Sequence, residues 1–146
     1  MRNSNKITAQ RYHDFSYGHR VYGHESKCAH AHGHNGRIHF VVEAEKLDNI
    51  GRVMDFSVIK EKLCSFLEEE WDHKFLLWEN DPWAEEFKKL DPDGTVILNF
   101  NPTAELMAQY LVNVVGPERL AGTGVTLQSV TVEETRKCSC TFIKGE

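Results

Sequence analysis

The chain lacks any stretch of about 20 consecutive apolar residues, the length a membrane-spanning helix requires, so no membrane span is expected. It also lacks a run of lysine or arginine, and its formal net charge is -5. That balance argues against nucleic acid as an electrostatically attracted partner. The opening Met1-Arg2-Asn3-Ser4-Asn5-Lys6 has no apolar core of the kind a secretory signal carries. Without an export signal the four cysteines are expected as reduced thiols, and the protein as cytoplasmic. Repeats, low-complexity segments and linkers are absent as well. One domain over 1–146 is therefore expected, and that length suffices for a hydrophobic core.

What the chain has in abundance is histidine: eight residues, dispersed rather than consecutive. Cys28-Ala29-His30-Ala31-His32-Gly33-His34 packs a thiol and three imidazoles into seven residues. Side chains two apart on a strand share a face, so His32 and His34 project together if this segment is extended. With His19 from the preceding strand they would form a three-nitrogen site with an open position, the arrangement of a catalytic zinc. His30 shares the even register, so spacing alone leaves it open as a ligand; His24 and His39 are further spares.

Periodicity supplies the scaffold. A strand is expected over 7–21, with Phe15, Tyr17, His19 and Val21 on one face, and another over 37–45, with Ile38, Phe40, Val42 and Ala44 alternating. Gly36 is a candidate bulge between this register and that of the histidines. A helix capped by Asp55 or Ser57 runs to about Trp71, with Phe56, Ile59, Leu63, Phe66 and Leu67 at helical spacing. An irregular segment follows over about 78–94, with a short helix at 83–90, then a strand at 95–99. Asn101-Pro102 reads as the start of a second main helix, with Leu106, Met107, Tyr110, Leu111 and Val114 on one face and Gly116-Pro117 as its stop. Strands are expected over 125–134 and 137–143.

Other groups carry chemistry only in combination. Cys28 is a nucleophile or base if positive charge nearby favours its thiolate; otherwise it is an inert loop residue. Cys64, Cys138 and Cys140 read as packing residues. Asp72-His73 pairs an acid with an imidazole, which can fix a tautomer and tune basicity; alone, it also fits a solvated helix end. Glu134 shares register with Val130 and Val132 and would face inward. A buried carboxylate needs a partner, so it suits a ligand with N–H donors, although the position by itself also fits a surface glutamate.

Together these pieces resemble the 6-pyruvoyltetrahydropterin synthase / 6-carboxytetrahydropterin synthase family. The matching motifs are His19 in Gly-His-Arg, Cys28-x3-His32-Gly33-His34, Met54-Asp55-Phe56, Asp72-His73-Lys74, Asn101-Pro102-Thr103-Ala104-Glu105 and Val132-Glu133-Glu134-Thr135. They occur in the family's order and span most of the chain. The spacing Cys-x3-His-Gly-His looks like the queuosine-pathway branch, the 6-carboxy-5,6,7,8-tetrahydropterin synthases. The chain departs from the shortest members of that branch in its longer segment Trp78 to Asp93, and it has Glu133 where some relatives have lysine.

The resemblance implies an α+β tunnelling fold (T-fold): a four-stranded antiparallel sheet with two main helices on one face, in the order ββααββ. It implies trimers whose sheets close into a barrel, two trimers stacked as a homohexamer, and active sites between subunits. It assigns His19, His32 and His34 as zinc ligands, Cys28 as the proton-transfer residue with Asp72 and His73 as partners, and Glu134 as the anchor of the pterin ring. Thr103 and Glu105 would line the pterin pocket from a neighbouring subunit. The implied reaction is that of a carbon–carbon lyase on 7,8-dihydroneopterin triphosphate. Zinc acts as a Lewis acid, Cys28 moves protons, triphosphate leaves, and a retro-aldol-type cleavage releases acetaldehyde and 6-carboxy-5,6,7,8-tetrahydropterin. Stopping before cleavage gives the pyruvoyl product instead, and a pterin- or metal-binding module without catalysis is the third reading. Arg20, Lys27, Arg37 and Lys74 are the candidate cations for the triphosphate.

Overall fold

Alternation along the first two strands builds the centre of the sheet. In the computed structural model, which describes residues 6–146, β1 spans Thr8–His19 and β2 His32–Ala44. They pair antiparallel without interruption from Thr8↔Glu43 to His19↔His32. Phe15, Tyr17 and His19 of β1 and Ile38, Phe40 and Val42 of β2 are buried on one face, as the period-two pattern predicts. The expected bulge at Gly36 is absent: the residue stays in register opposite Phe15. Its glycine answers to packing instead, because a Cβ there would lie 2.9 Å from Cε1 of the Tyr17 ring. The register shift falls further along, between Val41 and Val42, where β2 pairs with β5.

The remaining elements are α1 (the helical run 56–71), β3 (Lys74–Trp78), α2 (Ala84–Leu90), β4 (Thr95–Leu98), α3 (the helical run 104–119), β5 (Val125–Glu133) and β6 (Ser139–Ile143). The expected four-stranded sheet in the order ββααββ is therefore corrected to six strands in the order β4-β3-β1-β2-β5-β6. β1, β2, β5 and β6 form the antiparallel four. β3 and β4 extend it in parallel on the β1 edge. Parallel neighbours need a crossover, usually helical, and α2 supplies it inside the segment expected to be irregular. Leu76 joins the main core while the Phe75 ring stacks on Phe87 of α2, centroids 4.6 Å apart. Strand alternation thus puts α2 on the face opposite the other two helices.

Helices α1 and α3 close the main core, which joins Ile59, Leu63, Leu67 and Trp71 to Met107, Leu111, Val112 and Val115 over the strand residues. Asp55 caps α1, accepting from the Ser57 N–H, as expected; Phe56, expected on the apolar face, is exposed. The cap of α3 is Thr103, whose hydroxyl accepts from the Leu106 N–H at 3.1 Å. Asn101, expected in that role, instead donates its side-chain amide to the Tyr22 carbonyl at 3.0 Å. The expected stop at Gly116-Pro117 is also corrected, because the helix continues to Arg119. Leu111–Val115 is a wide π-helical turn, and Pro117 opens the next turn, where a missing N–H is tolerated. The buried stripe accordingly runs through Ala104, Met107, Ala108, Leu111, Val112 and Val115, with Val114 exposed. Cys64 is buried, Cys140 half-buried, and Cys138 exposed just outside β6, so packing does not explain Cys138. Among the described residues no helix is long and apolar enough to cross a membrane.

Candidate metal centre

His19 ends β1 and His32 begins β2, and the two are direct cross-strand partners, as are Tyr17 and His34. Directly paired residues share a face, so three imidazoles meet at one end of the central hairpin. The carboxylate of Glu134, just past β5, joins them. One ligand atom from each of His19, His32, His34 and Glu134 lies within 4.8 Å of all the others.

Two of the three imidazoles are held in a defined tautomer. Nδ1 of His19 donates to the Pro102 carbonyl and Nδ1 of His32 to the His30 carbonyl, both at 2.7 Å. A ring whose Nδ1 carries the proton presents a bare lone pair at Nε2. The Nε2 atoms of His19, His32 and His34 are all buried, and none has a hydrogen-bond partner. Oε1 of Glu134 approaches Nε2 of His34 to 2.6 Å and Nε2 of His19 to 3.5 Å, distances of contact without hydrogen-bonding angles. Buried acceptors left without donors are costly. A shared cation accounts for the arrangement, and borderline-soft zinc suits neutral imidazole nitrogen with a carboxylate nearby. The residues present fit the ion.

Charge follows the same geometry. Burial pushes the pKa of His34 down, which keeps the ring neutral and able to ligate. A hydrogen bond from His19, made when its Nε2 carries a proton, and the charge of a protonated His34 hold the Glu134 carboxyl below its ordinary range. Burial, with Glu134 adding, pushes the Tyr17 hydroxyl well above its usual value. That hydroxyl is itself buried and unpartnered.

The other residues singled out from the sequence are distributed around this cluster. Cys28 lies in a short 3-10 turn, Lys27–Ala29, between the two histidine strands. The backbone of this turn is tied to β1's exit by a 2.8 Å bond from the Val21 N–H to the Cys28 carbonyl. Asp72 and His73 pair with each other at 3.0 Å, and Asp72 accepts from the Ser16 N–H at 2.9 Å. Within one chain neither is hydrogen-bonded to Cys28. His73 is 80 % exposed and has a φ of 60°, a backbone region that non-glycine residues rarely adopt. It faces an open cleft of about 630 Å³ whose walls include His32, Gly33, His34, Lys74 and Phe75. Thr103 caps α3 next to the Pro102 carbonyl that orients His19. Glu105 sits in the first turn of α3 against Cys140, whose thiol is pushed up mainly by burial.

The spare histidines are elsewhere. The His30 side chain is exposed, and that residue contributes only its carbonyl. Nδ1 of His24 accepts from the Ser26 N–H. His39 bonds Glu133 at 2.9 Å, and Glu133 also takes Arg136 at 2.8 Å. Strand alternation thus separates the two adjacent glutamates, sending Glu134 to the cluster. What the sequence did not reveal is the pair of carbonyls that orient the rings and the direct approach of Glu134 to the histidines. Main-chain acceptors leave no mark in a side-chain pattern.

Comparison with known proteins agrees with the geometry. The family model described as 6-pyruvoyl tetrahydropterin synthase matches residues 7–144. The chain is 30% identical over 126 residues to a Rickettsia felis protein named 6-carboxy-5,6,7,8-tetrahydropterin synthase, covering 86% of this chain and 91% of that one. It is 32% identical over 131 residues to a Synechocystis protein of the same name, covering 85% and 84%. Two solved structures share the fold. One is an uncharacterized protein from Wolinella succinogenes, with a TM-score of 0.82, 24% identity and coverage of 97% and 100%. The other is a Caenorhabditis elegans 6-pyruvoyl tetrahydropterin synthase, with a TM-score of 0.67, 24% identity and coverage of 99% and 100%. By sequence over nearly its whole length, the chain belongs to the 6-pyruvoyl tetrahydropterin synthase family.

Proposed function

We propose that the protein is a zinc-dependent lyase of the 6-carboxy-5,6,7,8-tetrahydropterin synthase type. It would convert 7,8-dihydroneopterin triphosphate, with uptake of water, to 6-carboxy-5,6,7,8-tetrahydropterin, acetaldehyde and triphosphate, serving queuosine and other 7-deazapurine synthesis in the cytoplasm. The observation that carries this reading is the set of three buried Nε2 atoms without partners, at the positions of the family's His and His-Gly-His motifs. The names of the relatives support the carboxy branch over the pyruvoyl one.

His19, His32 and His34 hold the ion. Zinc bound there supplies Lewis acidity toward the hydroxyls of the substrate side chain. Cys28 moves protons to and from that side chain, and the Asp72–His73 pair tunes it. No hydrogen bond joins the pair to the thiol within one chain, which is consistent with a relay that forms across a subunit boundary in a homohexamer. Glu134 accepts the amino and ring N–H groups of the pterin, and its half-buried carboxylate is suited to charge-assisted bonds. Thr103 and Glu105 line the same pocket. Of the four cations considered for triphosphate, three are engaged: Arg20 with Asp81, Arg37 with Asp14 and Lys74 with the Asp93 carbonyl. Lys27, exposed in the Cys28 turn, is the remaining one and the best placed.

The test is turnover of 7,8-dihydroneopterin triphosphate by zinc-loaded protein, with products identified by mass. Acetaldehyde plus carboxypterin is expected; pyruvoyl-pterin would move the protein to the other branch, and no triphosphate release would leave a binding module. Cys28→Ala is expected to keep its zinc and lose about 100-fold or more in kcat. Full activity in that variant contradicts the role given to the thiol.

A further inference from the structure

Arg20 follows His19 and is buried, although an unpaired guanidinium is costly to remove from water. Its partner is Asp81, also buried, from the segment 78–94. The pair is bidentate: Nε donates to Oδ2 at 2.6 Å and Nη2 to Oδ1 at 2.5 Å. The Trp83 ring covers the guanidinium, its centroid 3.4 Å from Cζ, and Tyr22 lies on it at 5.3 Å. Asp81 also organises its own segment, accepting from the Trp83 N–H at 2.8 Å with its side chain and from the Ala84 N–H at 3.0 Å with its carbonyl. Nη1 of Arg20 donates to the Ala29 carbonyl at 3.3 Å.

That last bond gives the ion pair a reach into the active-site turn. Ala29 follows Cys28, whose carbonyl is held by the adjacent Val21 N–H. The next residue, His30, offers the carbonyl that orients the His32 ring. Residues 28–30 are thus suspended from two consecutive residues, Arg20 and Val21. Arg20 is in turn immobilised by Asp81 and Trp83. A desolvated ion pair is seldom worth more to stability than an apolar pair of similar volume. Its geometric effect is different, because a planar guanidinium fixes carboxylate and carbonyl in one plane.

We infer that Arg20 and Asp81 are positioning residues, through which the 78–94 segment holds the Cys28 turn at its working distance from the histidines. The inference rests on the catalytic role proposed for Cys28, but its test has a readout that does not. The double variant Arg20→Met/Asp81→Leu removes both charges together, so neither is left buried without its counter-charge, and it frees only the Ala29 carbonyl and the Trp83 N–H from their side-chain partners. It should fold, bind zinc at the wild-type stoichiometry, show kcat lowered about tenfold with KM changed by less than about twofold, and react with iodoacetamide at Cys28 several-fold faster than wild type. Peptide mapping separates Cys28 from Cys64, Cys138 and Cys140. Wild-type kcat together with a wild-type Cys28 alkylation rate in the double variant overturns the inference. If the double variant does not fold, Asp81→Asn, which keeps one of the two acceptor oxygens and loses the charge, is expected to accelerate Cys28 alkylation at least twofold, and an unchanged rate overturns it equally. Faster alkylation in an enzyme whose Cys28→Ala form is fully active would sustain the positioning and refute the catalytic reading.

Discussion

At the residue scale, the centre depends on where three rings carry their protons. Carbonyls of Pro102 and His30 take the Nδ1 hydrogens of His19 and His32, so the lone pairs needed by a metal are set before any ion arrives. This preorganisation makes the metal-free protein sensitive to acid. Burial depresses the pKa of His34 from its ordinary 6.5, and contact with His19 depresses Glu134 from 4.5. On acidification the unfolded chain therefore takes up both protons before the folded one does. Stability is fully present above these values and is lost as pH falls, first through the histidine window and then through the carboxylate window. The urea midpoint of metal-free protein is expected to drop between about pH 7 and about pH 5.5, with His34→Gln reducing the slope. A midpoint that stays level or rises over that range contradicts the assignment. Zinc should protect against this loss, because the ion competes with the same protons.

At the element scale, the N-terminus of α3 joins fold to site. Thr103 caps the helix while its neighbour Pro102 orients His19. Thr103→Ala is expected to cost about 1 kcal/mol in chemical denaturation, and Thr103→Ser a few tenths at most. An equal loss in both would mean that the hydroxyl bond is not what stabilises this end. The start of this helix was legible in the sequence to within two residues, but the capping residue was not, since Asn101 and Thr103 are both good caps. The helix face was misread for a related reason. A π-turn shifts the stripe by one position, which moves Val114 outward and Val112 and Val115 inward. Strand β3 was missed because Lys74–Trp78 is short and does not alternate. Leu76 and Leu77 are both buried, one on each face of the sheet. Such strands carry no period-two signal.

At the scale of the whole molecule, residues from both main helices and from five of the strands, β1 to β5, meet in one core cluster. We expect one cooperative unfolding transition, with far-ultraviolet circular dichroism and tryptophan fluorescence coinciding. If the protein works as a homohexamer, the midpoint must rise with protein concentration. Trp71 sits in the main core while Trp83 covers Arg20 on the 78–94 segment. The third tryptophan, Trp78, ends β3 at the start of that segment and lies outside the main core, so Trp78→Phe/Trp83→Phe isolates the core signal. A separate early transition that disappears in this variant would show the segment to melt on its own, and a concentration-independent midpoint would argue against assembly.

The chain order and chemistry of the site were written in local patterns. Period two placed His19, His32 and His34 on inward faces, and the family's motifs singled out Cys28, Asp72-His73 and Glu134. Local pattern reaches that far because side-chain direction on a strand follows from backbone geometry alone. Convergence is a different matter. That His19 stands opposite His32, that Glu134 closes on both His19 and His34, and that a buried Asp81 reaches back to Arg20 depend on register between segments distant in the chain. Register is decided by how the whole set of apolar faces packs at once, and it was the tertiary structure that turned separate histidines into a single centre.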